Sequence, residues 1–278
     1  MCRWMAYSGN PMQLDTVIFK AQHSLIDQSL HSRLGATTTN GDGFGVGWYG
    51  PDPDEAPFRY RSIHPAWNDR NLREAARAIR ASMFVAHIRA ATDTPAQETN
   101  CHPFRHENWL FVHNGLIREY PLLRRELLMQ VDPRYFLSLE GSTDSEVMFL
   151  LALTFGLNQD PLPAFEKMAA TVEDAGRRHG VEFPLNMTIC AQDGERMIAV
   201  RYSSERSSRT LFHNDDVRHL KQLYPDEPRI AALGDDSYML LSEPLSELPG
   251  VWQEVPEATA VIAHRGDVRY FPFVPGGL

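Results

Sequence analysis

The stretch Met1-Cys2-Arg3-Trp4-Met5-Ala6-Tyr7 places a cysteine directly after the first methionine. Removal of Met1 would leave a thiol and a free α-amino group on the same residue. The α-amino group has a pKa of about 8 and the thiol one of about 8.5, so the amine can take the proton of its own side chain. A nucleophile activated by its N-terminal amine is an established variant of the nucleophile–base pair. The alternative is a cysteine that only happens to lie near the start, because a single Cys needs partners elsewhere in the chain.

The composition is that of a globular protein with a substantial core. The chain has 278 residues, of which 43% are hydrophobic, and a net charge of −9. An acidic chain lacks the basic footprint of a nucleic-acid-binding protein, so no nucleic-acid partner is expected. No apolar run approaches the roughly 18 residues of a membrane span, and the first residues do not form a signal peptide. We therefore expect no membrane association and a cytoplasmic location. Three cysteines do not suggest a disulfide framework.

The order of predicted elements favours an α+β protein. Apolar periodicity and capping residues predict helices over 17–30, 71–82, 121–129, 142–153 and 164–179. Strand patterns cover 44–49, 58–61, 83–88, 109–112, 187–190, 197–202, 238–241, 260–263 and 268–273. The strand over 109–112 is predicted to end at a turn formed by His113-Asn114-Gly115. The predicted order is a group of strands, then helices, then strands again, without regular βαβ alternation. This order favours helices packed on antiparallel sheets.

Two motifs that suggest a cofactor or a metal lack the necessary context. Gly45-Val46-Gly47-Trp48-Tyr49-Gly50 has dinucleotide-binding spacing, but the prolines and aspartates that follow cannot open the required helix. These glycines are expected instead to let the backbone pass close to a neighbour. Cys101-His102 and His106 do not have the spacing of zinc ligands. The sequence therefore predicts no cofactor and no metal.

A set of polar motifs falls where predicted strands end and helices begin, which is where sites are usually built. Each has a purely structural alternative. Arg89 can form a surface ion pair, His87 can be a hydrogen-bonded core histidine, Asn114-Gly115 can be a plain turn, and Asp144 can be a plain helix cap. Taken singly, the structural interpretations are favoured. Their order behind Cys2 is what favours a catalytic site.

With these motifs in this order behind Cys2, the chain resembles the class II glutamine amidotransferases, which are hydrolases with an N-terminal cysteine nucleophile. The matching stretches are Met1-Cys2, Gly41-Asp42-Gly43-Phe44-Gly45, 87–92, 100–104, His113-Asn114-Gly115 and 143–146. Leu241-Ser242-Glu243-Pro244-Leu245 and Trp252 resemble the stand-alone branch of the family. The resemblance implies a four-layer αββα sandwich. It also implies a single domain over 1–278, with no synthase domain in the chain.

The resemblance assigns the chemistry to three residues. Cys2 would attack the δ-carbonyl of a γ-glutamyl group and form a thioester that water hydrolyses. The freed amine of Cys2 would carry the proton. The Asn114 side chain and the Gly115 backbone N–H would form the oxyanion hole, in which one donor is typically worth about 3–4 kcal/mol of the barrier.

Four further residues are implied in substrate binding. Arg89 would hold the α-carboxylate, for which a guanidinium fork has suitable geometry, and Thr92 would assist there. Asp144 would accept the α-ammonium group. His102 matches a family position beside the loop that covers glutamine. His87 is expected to support its strand.

Two departures from the family pattern bear on the pocket. Asp93 follows Thr92 where synthase-linked members often have His, which puts the usual contacts of the glutamine loop in doubt. Arg3-Trp4 follows the nucleophile where small apolar residues are common, and we expect this pair to narrow or reshape the pocket.

Three functions remain open on the sequence. The first is a stand-alone hydrolase of γ-glutamyl amide bonds, acting on glutamine or on a γ-glutamyl small molecule. The second is a glutaminase subunit that delivers ammonia to a separate synthase, or that works with a peptidase subunit. The third is a non-catalytic γ-glutamyl-binding regulatory module, which would keep Met1 and form no thioester.

Overall fold

The computed structural model describes residues 2–34, 39–91, 95–264 and 266–276. Its strands are β1 (Arg3–Gln13), β2 (Phe44–Trp48), β3 (Phe58–Ser62), β4 (Arg80–Ile88), β5 (Phe104–His106), β6 (Trp109–Ile117), β7 (Leu185–Gln192), β8 (Arg196–Ser203), β9 (Phe212–Asn214), β10 (Tyr238–Leu241), β11 (Trp252–Glu254), β12 (Thr259–His264) and β13 (Asp267–Pro272). Its α-helices are α1 (Asp15–Ile18), α2 (Leu25–Leu30), α3 (Arg70–Ala78), α4 (Tyr120–Met129), α5 (Pro133–Phe136), α6 (Asp144–Thr154), α7 (Pro161–His179), α8 (Val217–Leu223) and α9 (Pro228–Ala231).

The described strands form two antiparallel sheets. One sheet has the order β11-β9-β10-β1-β4-β2-β3 and the other the order β13-β12-β8-β7-β6-β5. Strand β1 lies in the middle of the first sheet between β10 and β4, and β6 pairs with β7 in the second. The α+β prediction is confirmed.

Side-chain alternation along the strands produces three stacked cores. On β1, Met5 and Tyr7 pack with apolar residues of α1, α2 and α3, whereas Trp4 and Ala6 pack between the two sheets. On the second sheet, Phe111 packs with α4, α6 and α7. Helices therefore cover the outer face of each sheet, and the predicted four-layer αββα sandwich is confirmed.

Helix α6 is buried over nearly its whole length, from Ser145 to Leu153. It has no polar face because β6 lies on one side and α4, α5 and α7 surround the rest. Thr143 caps its first turn by accepting a hydrogen bond from the Glu146 N–H at 3.2 Å, whereas the sequence left the choice between Ser142 and Thr143 open. This packing fixes the first residue of α6, Asp144, against the end of β6.

Two predicted helices have different bounds in the structure. The helix predicted over 17–30 is divided into α1 and α2, because Ser24 starts a new helix by accepting a hydrogen bond from the Asp27 N–H at 3.1 Å. The helix predicted over 71–82 ends at Ala78, because the chain from Arg80 onward pairs with the end of β1. None of the described helices is long and apolar enough to cross a membrane.

Candidate active site

Cys2 directly precedes β1 and lies beside the residues that follow β4, the neighbouring strand in the first sheet. Arg3 pairs with Ile88 in the β1–β4 ladder, so the residue before β1 lies beside the residues that follow β4. The Sγ atom of Cys2 accepts a hydrogen bond from the Ala90 N–H at 3.3 Å and donates to the Ala90 carbonyl at 3.4 Å. Within the described ranges, these backbone groups are the hydrogen-bond partners of the sulfur.

The thiol of Cys2 is in an environment that favours its neutral form. Burial raises the pKa of the Cys2 thiol, while the Ala90 N–H and the positive charges of Arg89 and Arg3 oppose that rise. A thiol with a raised pKa is a weak nucleophile until a base removes its proton. The site therefore needs a base close to Cys2.

Asn114 connects Cys2 to the second sheet. Its side-chain Nδ2 donates to the Cys2 carbonyl oxygen at 2.9 Å. The sequence prediction that β6 ends in a turn at 113–115 is wrong, because Asn114 and Gly115 pair with Thr188 and Met187 of β7. The strand continues because Gly115 adopts a φ of +140°, and a Cβ there would lie 1.9 Å from the Asn186 carbonyl oxygen. Only glycine is compatible with this position.

Arg89 is held by the loops around it. Its backbone N–H donates to the Gly43 carbonyl at 2.8 Å, and its guanidinium donates to the carbonyls of Asp42 at 3.3 Å and Pro95 at 3.2 Å. The Asp42 carboxylate accepts from the Ala91 N–H at 2.8 Å. The Gly-Asp-Gly stretch before β2 thus supports Arg89 through backbone carbonyls.

Asp144 joins the start of α6 to the end of β6. Its Oδ2 atom accepts from the Ile117 N–H at 2.8 Å, and its Oδ1 atom accepts from the Ser145 N–H at 2.7 Å. A helix N-terminus stabilises a carboxylate, so this side chain is a fixed negative charge. Its side chain stays partly exposed to the cavity.

Three histidines beside Cys2 are buried and neutral. The rings of His87 and His102 stack with centroids 4.1 Å apart. Burial lowers the pKa of His87 to about 3 and that of His102 well below its usual value. Burial also lowers the pKa of His113, and the Asp144 carboxylate opposes this shift. The Nδ1 atom of His113 lies 2.8 Å from the Ser145 hydroxyl.

A single cavity of about 900 Å³ brings most of these groups together. Cys2, Arg89, His102, Gly115 and Asp144 all line it. Both ring nitrogens of His102 are buried and lack a hydrogen-bond partner among the described residues. The cavity extends outward along the chain segments that precede α4 and follow α7.

Asn114 and Thr92 are the sequence-predicted site residues that are not among the described residues of the cavity lining. Asn114 is not among the residues that line the cavity and contacts it through Cys2. Thr92, and Asp93 after it, fall outside the described residues. The expectation that Arg3-Trp4 narrows the pocket is wrong for the described part of the chain. Trp4 lies in the core between the sheets, and Arg3 forms a buried ion pair with Glu243.

Asn100 is a cavity residue to which sequence reasoning gave no role. Its Oδ1 atom accepts from the Ser142 N–H at 2.8 Å, and its Nδ2 donates to the Pro95 carbonyl at 3.1 Å. It therefore ties the loop that contacts Arg89 to the segment before α6. The available signal was an Asn inside a stretch that matches the family, but a loop asparagine has no periodicity to mark it as buried.

Comparisons with known proteins agree with this geometry. Residues 12–272 match the family described as class II glutamine amidotransferases. The chain is 30% identical to the probable glutamine amidotransferase DUG3 of Saccharomyces cerevisiae, over 99% of this chain and 85% of that protein. It is 27% identical to the gamma-glutamyl-hercynylcysteine sulfoxide hydrolase of Mycolicibacterium smegmatis, over 97% of this chain and 96% of that protein.

A solved structure supports the same assignment. The glutamine aminotransferase class-II domain protein of Silicibacter pomeroyi matches with a TM-score of 0.74 and 30% identity, covering 99% of this chain and 100% of that one. The described fold and the sequence match extend over nearly the same length. On this evidence the chain belongs to the class II glutamine amidotransferases, a family of enzymes.

Proposed function

We propose that this chain hydrolyses the γ-glutamyl amide bond of a γ-glutamyl small molecule, with Cys2 as the nucleophile. One observation carries the proposal. The Cys2 thiol, the Arg89 guanidinium and the Asp144 carboxylate line the same cavity, although they are far apart in the sequence. A nucleophile, a cation and an anion around one space match the reacting carbonyl, the α-carboxylate and the α-ammonium of a γ-glutamyl group.

The first chemical step is an acyl transfer to sulfur. After removal of Met1, the α-amine of Cys2 takes the thiol proton, and Sγ attacks the δ-carbonyl carbon. The C–N bond then breaks, and the departing amine takes the proton from the α-ammonium group. Two observations support the α-amine as the base. The pKa of the Cys2 thiol is raised, and among the described residues the hydrogen-bond partners of the sulfur are backbone groups of Ala90.

Water completes the reaction. It attacks the thioester carbonyl while the α-amine accepts one of its protons. The C–S bond breaks, the sulfur recovers a proton, and glutamate is released. Asn114 and the Gly115 N–H stabilise the oxyanion in both steps, for which the Asn114 amide turns from the Cys2 carbonyl toward the substrate oxygen. Such donors lower the barrier because they stabilise the negative charge that develops on the carbonyl oxygen in the transition state.

Substrate recognition uses opposite charges at the two α-substituents. Arg89 binds the α-carboxylate and Asp144 binds the α-ammonium, with charge-assisted hydrogen bonds that are stronger than neutral ones. His102 lines the same cavity, as its place in the family motif implies. Thr92 is assigned to the α-carboxylate by its place in the family motif alone.

The size of the cavity favours a substrate larger than glutamine. A volume of about 900 Å³ is near the upper end of the range for pockets that enclose drug-sized ligands. The outer part presents apolar and charged side chains together, namely Leu116, Arg118, Tyr120, Leu122 and Val181. A γ-glutamyl conjugate fits this space better than free glutamine. The similarity to a hydrolase named for such a conjugate agrees with this choice.

We further propose that residues 1–278 act as one domain in this reaction. The core between the sheets contains Trp4 of β1 and Leu110 of β6 together, and Asn114 of one sheet bonds to Cys2 of the other. The site is therefore built from both sheets.

The test is glutamate release from glutamine and from γ-glutamyl conjugates of increasing size, with matched α-glutamyl isomers as controls. The proposal predicts turnover of γ-linked compounds, with higher kcat/KM for the larger ones, and no turnover by Cys2→Ala. Turnover of glutamine alone, stimulated by an added synthase or peptidase subunit, would favour the ammonia-delivering alternative. Binding of γ-glutamyl compounds without release of glutamate would favour the regulatory module.

A further inference from the structure

We propose that Arg3 and Glu243 form a buried positioning pair that fixes Cys2 for attack, an inference that rests on the proposed function. Neither residue lines the cavity. Both act through the backbone of Cys2, and both are therefore positioning residues.

The Arg3 guanidinium is almost fully buried and makes directed contacts with three of the described residues. Arg3 is 2% exposed and Glu243 is 3% exposed. The Nε atom of Arg3 donates to Glu243 Oε2 at 2.8 Å, and Nη1 donates to the Cys2 carbonyl oxygen at 2.9 Å. Nη2 donates to the Ser32 hydroxyl. A planar guanidinium held at three points has no freedom to rotate, so its contact with Cys2 is fixed in direction.

Glu243 connects this guanidinium to the chain after α2. Its Oε1 atom accepts from the Arg33 N–H at 3.0 Å, and its Oε2 atom accepts from the Leu34 N–H at 3.4 Å. The buried carboxylate is therefore satisfied by a cation and by backbone donors. A buried ion pair is weak evidence for stability, because apolar residues of similar volume often replace it at no loss. A role in positioning explains its presence better than stability does.

The pair has a specific task while the oxyanion hole operates. The Cys2 carbonyl accepts from both Arg3 Nη1 and Asn114 Nδ2, each at 2.9 Å. When the Asn114 amide turns toward the substrate oxyanion, a carbonyl with no other donor would be left without a hydrogen bond, which is unfavourable for a buried polar group. Arg3 keeps that carbonyl satisfied and keeps the Cys2 backbone in place.

The positive charge of Arg3 also favours attack by Cys2, because it favours the thiolate form. Its guanidinium lowers the pKa of the Cys2 thiol against the larger effect of burial. Loss of Arg3 should therefore make the thiolate harder to form as well as move the sulfur.

The experiment compares two double variants with the wild-type chain. Arg3→Met/Glu243→Leu removes the buried pair without leaving an unpaired charge, which keeps folding feasible. Lys221→Met/Asp235→Leu removes an exposed ion pair outside the cavity and outside this network as the control. Iodoacetamide counts reactive Cys2 and gives the pH dependence of its alkylation. Steady-state kinetics with a γ-glutamyl conjugate then give KM and kcat per reactive thiol.

A positioning role predicts a fall in kcat of about 100-fold for the buried pair, since a misplacement of about 1 Å has that effect. KM should stay within about twofold, because Arg89 and Asp144 are unchanged, and the alkylation midpoint should move to higher pH. The single variant Arg3→Lys should also have a lowered kcat, because an ammonium group cannot make the same contacts with Glu243, Cys2 and Ser32. The control should behave as wild type.

Wild-type kcat per reactive thiol in the folded Arg3→Met/Glu243→Leu variant would overturn the inference. Wild-type kcat in the Arg3→Lys variant would also overturn it. Loss of stability with unchanged kcat per thiol would show a purely structural pair and would also overturn it. If the wild-type chain itself hydrolysed no γ-glutamyl compound, the proposed function would fail. The alkylation midpoints of the three proteins would then decide the positioning role independently.

Discussion

Acidification should weaken the fold through His87, by an amount that follows from its burial. Burial lowers the pKa of His87 to about 3, whereas a histidine in an unfolded chain has a pKa of about 6.5. Between these values the unfolded chain binds a proton that the native chain does not, so the free energy of unfolding falls as the pH falls. From pH 7.5 to pH 4.5 the decrease due to His87 is about 2.7 kcal/mol, because about two of those pH units lie below the pKa of the unfolded histidine and each contributes about 1.36 kcal/mol.

Urea unfolding at pH 7.5 and pH 4.5 measures this effect. The decrease in the wild-type chain includes other titrating groups, so the informative quantity is how much of it disappears in His87→Gln. We expect the decrease to be smaller in that variant by about 2.7 kcal/mol. His64→Gln, which removes an exposed histidine, should retain the full wild-type decrease. An equal decrease in His87→Gln and wild type would refute the reasoning.

Three substitutions test the candidate active site. Asn114→Ala should lower kcat about 10²–10³-fold with little change in KM, as loss of one oxyanion donor does; initial rates with a γ-glutamyl conjugate check this, and an unchanged kcat would remove Asn114 from the oxyanion hole. Gly115→Ala places a Cβ 1.9 Å from the Asn186 carbonyl at a φ of +140°, so thermal unfolding should show a loss of at least about 2 kcal/mol; a wild-type melting temperature would contradict that geometry. Asp144→Asn keeps an acceptor for the Ile117 N–H but removes the charge, so KM should rise about 10–100-fold, the equivalent of about 1.5–3 kcal/mol. Unchanged KM for γ-glutamyl compounds would mean that Asp144 does not bind the ammonium.

Local sequence patterns predicted those elements whose boundaries depend on local chemistry. The strand predicted over 238–241 matches β10 (Tyr238–Leu241). The start of α6 close to residue 142 was predicted because two hydroxyl residues, Ser142 and Thr143, come before an apolar run, but the pattern did not decide which of them is the cap. In both cases the deciding residues lie within one element.

Elements decided by distant contacts were not predicted. Strand β1 was missed because its first five residues are buried on both faces, which removes the alternation that marks a half-buried strand. The end of β6 was misjudged because Asn114-Gly115 resembles a turn, whereas pairing with β7 holds it extended. Pairing energy from a strand some seventy residues away leaves no trace in the local pattern.

In the candidate site, too, some features could be predicted from local sequence and others depend on distant contacts. Cys2, Arg89 and Asp144 could be named from their motifs, yet only the family resemblance placed them in one pocket. The Arg3–Glu243 pair spans 240 residues of sequence, so no spacing rule connects its members. The support of Arg89 by Asp42 uses a backbone carbonyl, which any residue type could supply, so composition does not reveal it.

The most direct test of the central claim is mass spectrometry of the chain after treatment with an electrophilic glutamine analogue, followed by peptide mapping. The account predicts a chain that lacks Met1 and carries one adduct on the Cys2 sulfur, with excess glutamate protecting the site. An adduct on Cys101 or Cys190 instead, or a chain that keeps Met1 and still releases glutamate from γ-glutamyl compounds, would contradict it.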